Sequence, residues 1–268
     1  MNTETLTAQA AEDLLIETDG PILRITFNRP QARNAMKLAM YEQLAQTLAG
    51  LHERPEIRVV VLRGAGDKAF ASGTDISEFK RFSSAQDAID YENTISRILS
   101  VIEACPVPTI SAIAGACTGG GMAIAACCDL RVAAANARFG MPMARTLGNC
   151  LSASSHARLA ALIGPGRVKD LLLTARLVDA DEARLWGLVS EVLADEAAMQ
   201  ARADELAQAI AGHAPLTMRV TKETLAALAA PVSAELEERL LLKAYLSQDF
   251  AEGVKAFLDK RAPNWTGR

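Results

Sequence analysis

Three consecutive glycines, Gly119-Gly120-Gly121, limit how this chain can fold more than any other feature. They follow an apolar, β-branched segment over residues 109–114 that predicts a buried strand, and they open an apolar helical pattern over residues 122–126. Because glycine has no Cβ, the first N–H groups of such a helix are unshielded, and the helix dipole favours negative charge there. The segment therefore predicts either an anion-binding or oxyanion-binding turn, or a tight turn where strand and helix pack closely.

A second turn of small residues runs from Ala69 to Ile76, after a predicted buried strand over residues 57–62. It leads into polar helical sequence, so it also exposes backbone N–H groups between a strand and a helix. Two such turns can direct their N–H groups at one acceptor atom, which is what an oxyanion hole requires. The pair of turns is a more specific signal than either turn alone.

Composition and charge exclude several classes of protein. A formal net charge of −4 gives no support for nucleic acid or an anionic membrane surface as a partner. The five cysteines are odd in number and form no Cys-x-x-Cys pair, so neither a disulfide framework nor a metal site is expected. Reduced cysteines and an N-terminus unlike a signal peptide predict a cytoplasmic protein, and no apolar run is long enough to predict a membrane span.

The hydrophobic pattern predicts an α/β core followed by a helical region. Strands are expected at residues 13–17, 22–27, 57–62, 109–114 and 130–134, with helices at residues 37–53 and 83–104. Four helices are expected after the core, at residues 199–212, 216–229, 233–247 and 250–260. We therefore divide the chain into a leader (1–11), an α/β core with the site (12–195) and a helical C-terminal region (196–268).

Several ordered motifs resemble one family over residues 12–263. They are Asn28-Arg29-Pro30 with Asn34-Ala35-Met36, the turn at 69–76, residues 107–121, Cys128-Asp129-Leu130-Arg131, Phe139-Gly140 with Pro142, Ala183 with Gly187-Leu188-Val189, and Glu252-Gly253 with Lys260-Arg261. The chain resembles the enoyl-CoA hydratase/isomerase family, also called the crotonase family. The resemblance implies a spiral of repeated ββα units with a C-terminal helical trimerisation region. It also implies an acyl-CoA thioester as partner, and a homotrimer or a dimer of trimers.

The resemblance also assigns roles to individual residues. The two oxyanion-hole amides are implied at Ala71 and Gly120. Coenzyme A is expected as part of the substrate, with no tightly bound cofactor, and its adenine is expected against the backbone of the first turn. That turn comprises Ala69, Ser72, Gly73, Thr74, Asp75 and Ile76 beside Ala71. Arg29 or Arg33 is expected to meet the phosphates, and Phe257 and Lys260 to reach a nucleotide bound by a neighbouring subunit.

The acid–base residues depart from the family pattern. The positions at which the family's hydratases carry two glutamates are Ala123 and Met143 here, and neither side chain can move a proton. The segment from Arg145 to Ser152 is expected to line the acyl pocket instead, with Arg145 and Asn149 binding a polar acyl group and Cys150 as a weak acid or a packing residue. Glu78 is expected to face solvent, Asp75 to cap a helix, and His156 to be structural.

Three interpretations of function remain open at this point. The first is an acyl-CoA enzyme of hydratase/isomerase type that stabilises a thioester enolate without the usual glutamates. The second is a catalytically weak acyl-CoA-binding protein, and the third a decarboxylase-like enzyme of the same family. A nucleotide-dependent oxidoreductase is disfavoured, because the glycine pattern at residues 64–69 is followed by another turn where its helix should begin.

Overall fold

A computed structural model describes residues 12–227 and 245–264, with Glu235, Glu238 and Leu242 between them. The expected leader at residues 1–11 and most of the expected helix at 233–247 lie outside the described residues. The described part is a mixed α/β structure, as predicted. No helix within it is both long and apolar enough to cross a membrane.

Two sheets form the centre of the fold. The larger has the order β1 (Leu14–Asp19), β2 (Ile22–Phe27), β3 (Val59–Gly64), β5 (Thr109–Ile113), β7 (Leu130–Ala134) and β10 (Glu191–Leu193). Its first pair is antiparallel and the other pairs are parallel. The smaller sheet has the order β4 (Ala69–Ala71), β6 (Ala116–Thr118), β8 (Arg138–Gly140) and β9 (Val178–Asp179).

Helices surround these sheets. In chain order they are α1 (Leu38–Ala49), α2 (Ala85–Glu103), α3 (Gly120–Cys127), α4 (Met143–Thr146), α5 (Ala153–Ile163), α6 (Pro165–Thr174), α7 (Ala180–Leu185), α8 (Glu196–Ala211), α9 (Pro215–Ala227) and α10 (Gln248–Leu258). Short 3-10 helices cover Pro30–Ala32, Gly50–Glu53 and Ile76–Arg81.

The strands alternate between the two sheets along the chain. The pairs β3–β4, β5–β6 and β7–β8 each place one strand in the larger sheet and the next in the smaller, and a helix follows each pair. This repeated ββα pattern agrees with the spiral that the resemblance implied. Because β4 and β6 lie side by side in parallel, the turns that follow them emerge at the same edge of the smaller sheet.

The core has three parts, of which one concerns the site. Apolar side chains fill the space between the larger sheet and the helices on one face, while Met199, Ala203 and Ala207 of α8 cover the other face. A separate cluster joins the Ile76–Arg81 turn, α2 and the C-terminal part of the chain. Its buried members are Phe79, Ala88, Tyr91, Leu147, Tyr245 and Phe250. This aromatic cluster fastens the C-terminal helix α10 to the core.

Helix ends differ from the predicted bounds where side chains cap them. Helix α8 begins three residues before the predicted start at residue 199, because Asp195 accepts a hydrogen bond from the N–H of Ala198. Helix α2 begins at Ala85 because Ser84 and Asp87 form a capping box. Strands β4, which was predicted as part of a turn, β6 and β9 were missed because segments of two or three residues are too short to show a period.

Candidate active site

The two turns predicted from the sequence lie against each other. Gly119 takes a positive φ of 51° at the N-cap of α3. A Cβ added to Gly121 would lie 2.1 Å from the carbonyl oxygen of Ala71, so the second turn approaches the first only because this residue is glycine. The Thr118 hydroxyl also donates a hydrogen bond of 2.9 Å to the carbonyl oxygen of Ser72.

The segment after β2 holds the first turn in place. The buried Asn34 side chain donates hydrogen bonds to the carbonyl oxygens of Ala65 and Ala69, at 3.1 and 2.6 Å, and accepts one from the N–H of Arg29 at 3.0 Å. Met36 exchanges backbone hydrogen bonds with Gly73 and Asp75, both of 2.8 Å. The Asn-Arg-Pro and Asn-Ala-Met motifs thus fix the backbone of the turn that begins at Ala71.

Arg29 has a structural role in this chain. Its guanidinium lies 2.8 Å from Asp75 and 3.7 Å from Asp13 and donates to the carbonyl oxygen of Ala35, and its side chain is only 12% exposed. These intramolecular partners of Arg29 weaken the expectation that it meets the CoA phosphates, which stays a prediction. Arg33 is exposed and remains the candidate for that contact.

Asp75 caps the turn that follows, as predicted. Its carboxylate accepts hydrogen bonds from the N–H and hydroxyl of Ser77 at the start of the Ile76–Arg81 helix. Burial disfavours the charged form, but the hydrogen bonds from Ser77 and Arg29 outweigh it and hold the pKa of Asp75 below its usual range. Asp75 is thus an ionised structural residue beside the site.

The two positions at which the resemblance implied glutamates, Ala123 and Met143, are buried and apolar. Ala123 lies in α3 with 6% of its surface exposed, and Met143 begins α4 with 8% exposed. Neither can donate or accept a proton, so any acid–base group of this site must come from elsewhere.

A chain of three hydroxyl groups runs beside the glycine turn. The Thr74 hydroxyl lies 3.1 Å from that of Tyr41 and 2.9 Å from that of Tyr91. A Cβ added to Gly120 would meet the Tyr41 hydroxyl oxygen at 2.0 Å. Burial raises the pKa of Tyr41 to about 12 and that of Tyr91 well above its usual value, so both phenols are neutral at neutral pH.

A buried carboxylate, Glu92, lies in the same region and was missed in the sequence. It accepts a hydrogen bond from the Tyr245 hydroxyl, which in turn accepts one of 3.2 Å from the amide nitrogen of Asn149. Burial raises the pKa of Tyr245, and the charge of Glu92 raises it further. The available signal was a glutamate on the apolar stripe of α2, between Ala88 and Ile95.

Of the remaining predicted residues, Asn149 and Cys150 lie near Glu92. Arg145 is exposed on α4, whereas Asn149 is half-buried against Tyr245. Burial raises the pKa of Cys150 to about 12, which makes it a poor proton donor and favours its packing role. Glu78 does not face solvent as expected; it is half-buried and accepts a hydrogen bond from the N–H of Leu38, at the start of α1. His156 lies within α5, with Nδ1 3.0 Å from the carbonyl oxygen of Ser152.

Helix α10 covers one side of the candidate site. A Cβ added to Gly253 would lie 2.3 Å from the carbonyl oxygen of Leu147, so this glycine lets α10 pack closely on the segment after α4. A groove of about 600 Å³ runs between α10 and the start of α2, lined in part by Phe79, Phe82 and Tyr245. Phe257 and Lys260 are exposed near its end.

Metal binding receives no support from the described part of the chain. There, no three His, Cys, Asp or Glu side chains lie close enough together to hold a metal ion.

Comparison with known proteins gives one consistent family. The family profile described as Enoyl-CoA hydratase/isomerase matches residues 17–268. A crotonyl-CoA hydratase of Syntrophomonas wolfei is 32% identical over 265 residues, which cover 97% of this chain and 100% of that protein. A crystal structure of an enoyl-CoA hydratase/carnithine racemase from Magnetospirillum magneticum is 38% identical, covers 96% of both chains and has a TM-score of 0.77. A methylmalonyl-CoA decarboxylase in complex with 2-nitronate-propionyl-CoA is 31% identical, covers 95% of this chain and 98% of that chain, and has a TM-score of 0.86.

Proposed function

The chain belongs to the enoyl-CoA hydratase/isomerase family and processes acyl-CoA, and from this we propose that it stabilises a thioester enolate on the backbone amides of Ala71 and Gly120. The observation that carries the proposal is the contact between the two turns, in which Gly121 lies against the carbonyl of Ala71. Two N–H donors on adjacent turns strengthen their hydrogen bonds as negative charge moves onto the thioester oxygen. Binding of this kind favours the enolate over the substrate.

The reaction differs from two-glutamate hydration. Hydration of a double bond needs one group to activate water and another to protonate Cα. Because Ala123 and Met143 supply neither, we propose that the enzyme works mainly through the enolate. Isomerisation and exchange at Cα fit this site better than rapid addition of water.

Decarboxylation is the second candidate. It is favoured by the TM-score of 0.86 to the methylmalonyl-CoA decarboxylase. In that reaction the bond between Cα and the carboxylate breaks, carbon dioxide leaves, and the electron pair enters the enolate, which then takes a proton at Cα. Arg145, exposed on α4, is the cation that we assign to the substrate carboxylate.

A panel of acyl-CoA thioesters tests these alternatives. Turnover is measured with 2-enoyl, 3-enoyl, 3-hydroxyacyl and malonyl-type substrates, and binding is measured by calorimetry with acetoacetyl-CoA. Turnover of the 3-enoyl or the malonyl-type substrate supports the enolate mechanism. Binding without any turnover would favour an acyl-CoA-binding protein, and no binding at millimolar concentration would contradict the proposal.

We also propose that the enzyme is a homotrimer or a dimer of trimers in the cytoplasm. Large apolar side chains are exposed on α6, α7 and α9, including Leu173, Leu185 and Leu216 at 80%, 81% and 68%. Exposed leucines of this kind are typical of surfaces that another subunit covers. The five cysteines are free thiols, which suits a reducing compartment. Light scattering coupled to size exclusion measures the mass of the assembly, and a monomer would contradict the first part.

A further inference from the structure

We propose that Glu92 is the carboxylate that moves protons at the substrate Cα, in place of the glutamates absent at positions 123 and 143. This inference rests on the proposed enolate mechanism and names its missing acid–base group. Glu92 lies on the buried face of α2 with only 6% of its surface exposed, and its carboxylate accepts a hydrogen bond from Tyr245, which lines the groove under α10.

The neighbours of Glu92 fix its orientation. The Tyr245 hydroxyl donates its hydrogen bond to the Glu92 carboxylate, so the hydroxyl oxygen accepts one from the amide nitrogen of Asn149. Because the amide nitrogen of Asn149 donates to Tyr245, its Oδ1 atom points away from Tyr245. This oxygen is buried and has no hydrogen-bond partner in the described part of the chain. A buried acceptor without a partner marks a place for a donor that arrives with a ligand or a water molecule.

Glu92 lies close to the proposed oxyanion turn. It follows Tyr91, whose hydroxyl reaches Thr74 in the first turn, and Thr74 reaches Tyr41 beside Gly120. Its charge acts on four groups that surround it from different elements, and in each case it raises their pKa. They are Tyr41 of α1, Tyr91 of α2, Cys150 of the segment after α4, and Tyr245 before α10.

Stability alone does not explain a carboxylate at this position. Placing an ionised group among aromatic rings costs free energy, and an apolar side chain of similar size would pack there at lower cost. A buried carboxylate near a candidate active site is instead typical of acid–base catalysts. Tyr245 is the positioning residue, because its hydroxyl donates to the Glu92 carboxylate.

The proposed step balances without a further reactant. The Glu92 carboxylate takes a proton from Cα of the thioester, and the C–H electron pair forms the enolate whose oxygen lies at the Ala71 and Gly120 amides. The neutral carboxylic acid then returns a proton to the enolate carbon. After decarboxylation only the second half occurs, and solvent protonates Glu92 again.

Exchange of the Cα protons of butyryl-CoA in heavy water, followed by mass spectrometry, tests the inference. Glu92→Gln is expected to reduce the exchange rate by about 100-fold or more while calorimetric affinity for butyryl-CoA stays within about twofold. Asp90→Asn is the matched control, since it removes the same charge from the exposed face of the same helix, and exchange should not change. Normal exchange in a folded Glu92→Gln variant overturns the assignment and leaves the enolate mechanism intact. Binding without exchange in the unmodified protein overturns both.

Tyr245→Phe gives a second test that does not depend on how well Glu92→Gln folds. Loss of the hydroxyl removes a donor that stabilises the ionised carboxylate, so the pKa of Glu92 should rise. In a plot of the Cα-proton exchange rate against pH, the fall in rate at low pH is expected to begin at a higher pH. If Tyr245 had a purely structural role, the rate would be lower by the same factor at every pH. An unshifted profile in the folded variant contradicts the inference.

Discussion

The Tyr41 hydroxyl lies directly over the α-carbon of Gly120, where an added Cβ would come within 2.0 Å of the hydroxyl oxygen. The ring carbon that bears this hydroxyl would be 3.3 Å away, which is close but tolerable. Gly120 can therefore carry a side chain only after the Tyr41 hydroxyl has been removed. This relationship determines how the proposed oxyanion amide can be tested.

The amide of Gly120 is best tested in a Tyr41→Phe background. There, Gly120→Pro removes the N–H at a helix position that tolerates proline, whereas Gly120→Ala adds a similar Cβ and keeps the N–H. We expect the proline variant to lose about 100-fold or more in turnover relative to the alanine variant. Equal turnover in the two folded variants would show that this amide does not stabilise the enolate.

Hydration of crotonyl-CoA should be absent or slow. Each acid–base group contributes about 100- to 10,000-fold, so the absence of carboxylates at Ala123 and Met143 should be visible in a spectrophotometric assay. The double change Ala123→Glu with Met143→Glu is expected to raise the rate. The same pair changed to glutamine is the control for size. Hydration by the unmodified protein at the rate of an ordinary hydratase would contradict this prediction.

Loss of the Asn34 side chain should destabilise the first turn. Asn34→Ala leaves three backbone groups without their partner and places alanine at a φ of 54°, which together cost roughly 2–4 kcal/mol. Urea denaturation measures the loss. Asn34→Gly loses the same hydrogen bonds, but glycine adopts a positive φ without steric strain. The glycine variant should therefore be less destabilised than the alanine variant. The reverse order would show that backbone strain is not part of the effect.

The two arginines near the first turn should respond differently. Arg33→Ala is expected to weaken CoA-thioester binding by about 1.4- to 5-fold, as for loss of an exposed ion pair, and to leave the melting temperature unchanged. Arg29→Ala is expected to lower the melting temperature, because it leaves the partly buried Asp75 carboxylate without its guanidinium partner. Calorimetry and thermal unfolding distinguish the two, and equal losses of affinity in both would contradict the structural role of Arg29.

The Asp75 carboxylate should make the free energy of unfolding depend on pH. Its pKa is lowered in the folded protein, so its contribution is complete above the ordinary aspartate value of 3.8 and is lost as the pH falls through the lower folded value. Asp75→Asn is therefore expected to reduce the free energy of unfolding at neutral pH and to become equal to the parent at strongly acidic pH. A constant difference at all pH values would show that charge is not involved.

The fold and the two turns could be predicted because they depend on local patterns. A run of β-branched residues before Gly115 and an apolar pattern after Gly121 predict strand, turn and helix without tertiary information. The role of Arg29 could not be predicted, because its partners Asp13 and Asp75 meet only when β1 and the first turn come together. The role proposed for Glu92 could not be predicted for a similar reason, since its contact with Tyr245 joins residues that are 153 positions apart in the sequence.

That contact has a consequence for how the protein is made. The carboxylate of Glu92 is held by Tyr245, which follows every strand of the two described sheets, so this contact forms only after residue 245 has been synthesised. A nascent chain that has folded both sheets therefore has its glycine turn but not its oriented carboxylate. The strands of both sheets therefore precede, in the chain, the residue that orients the proposed catalytic carboxylate.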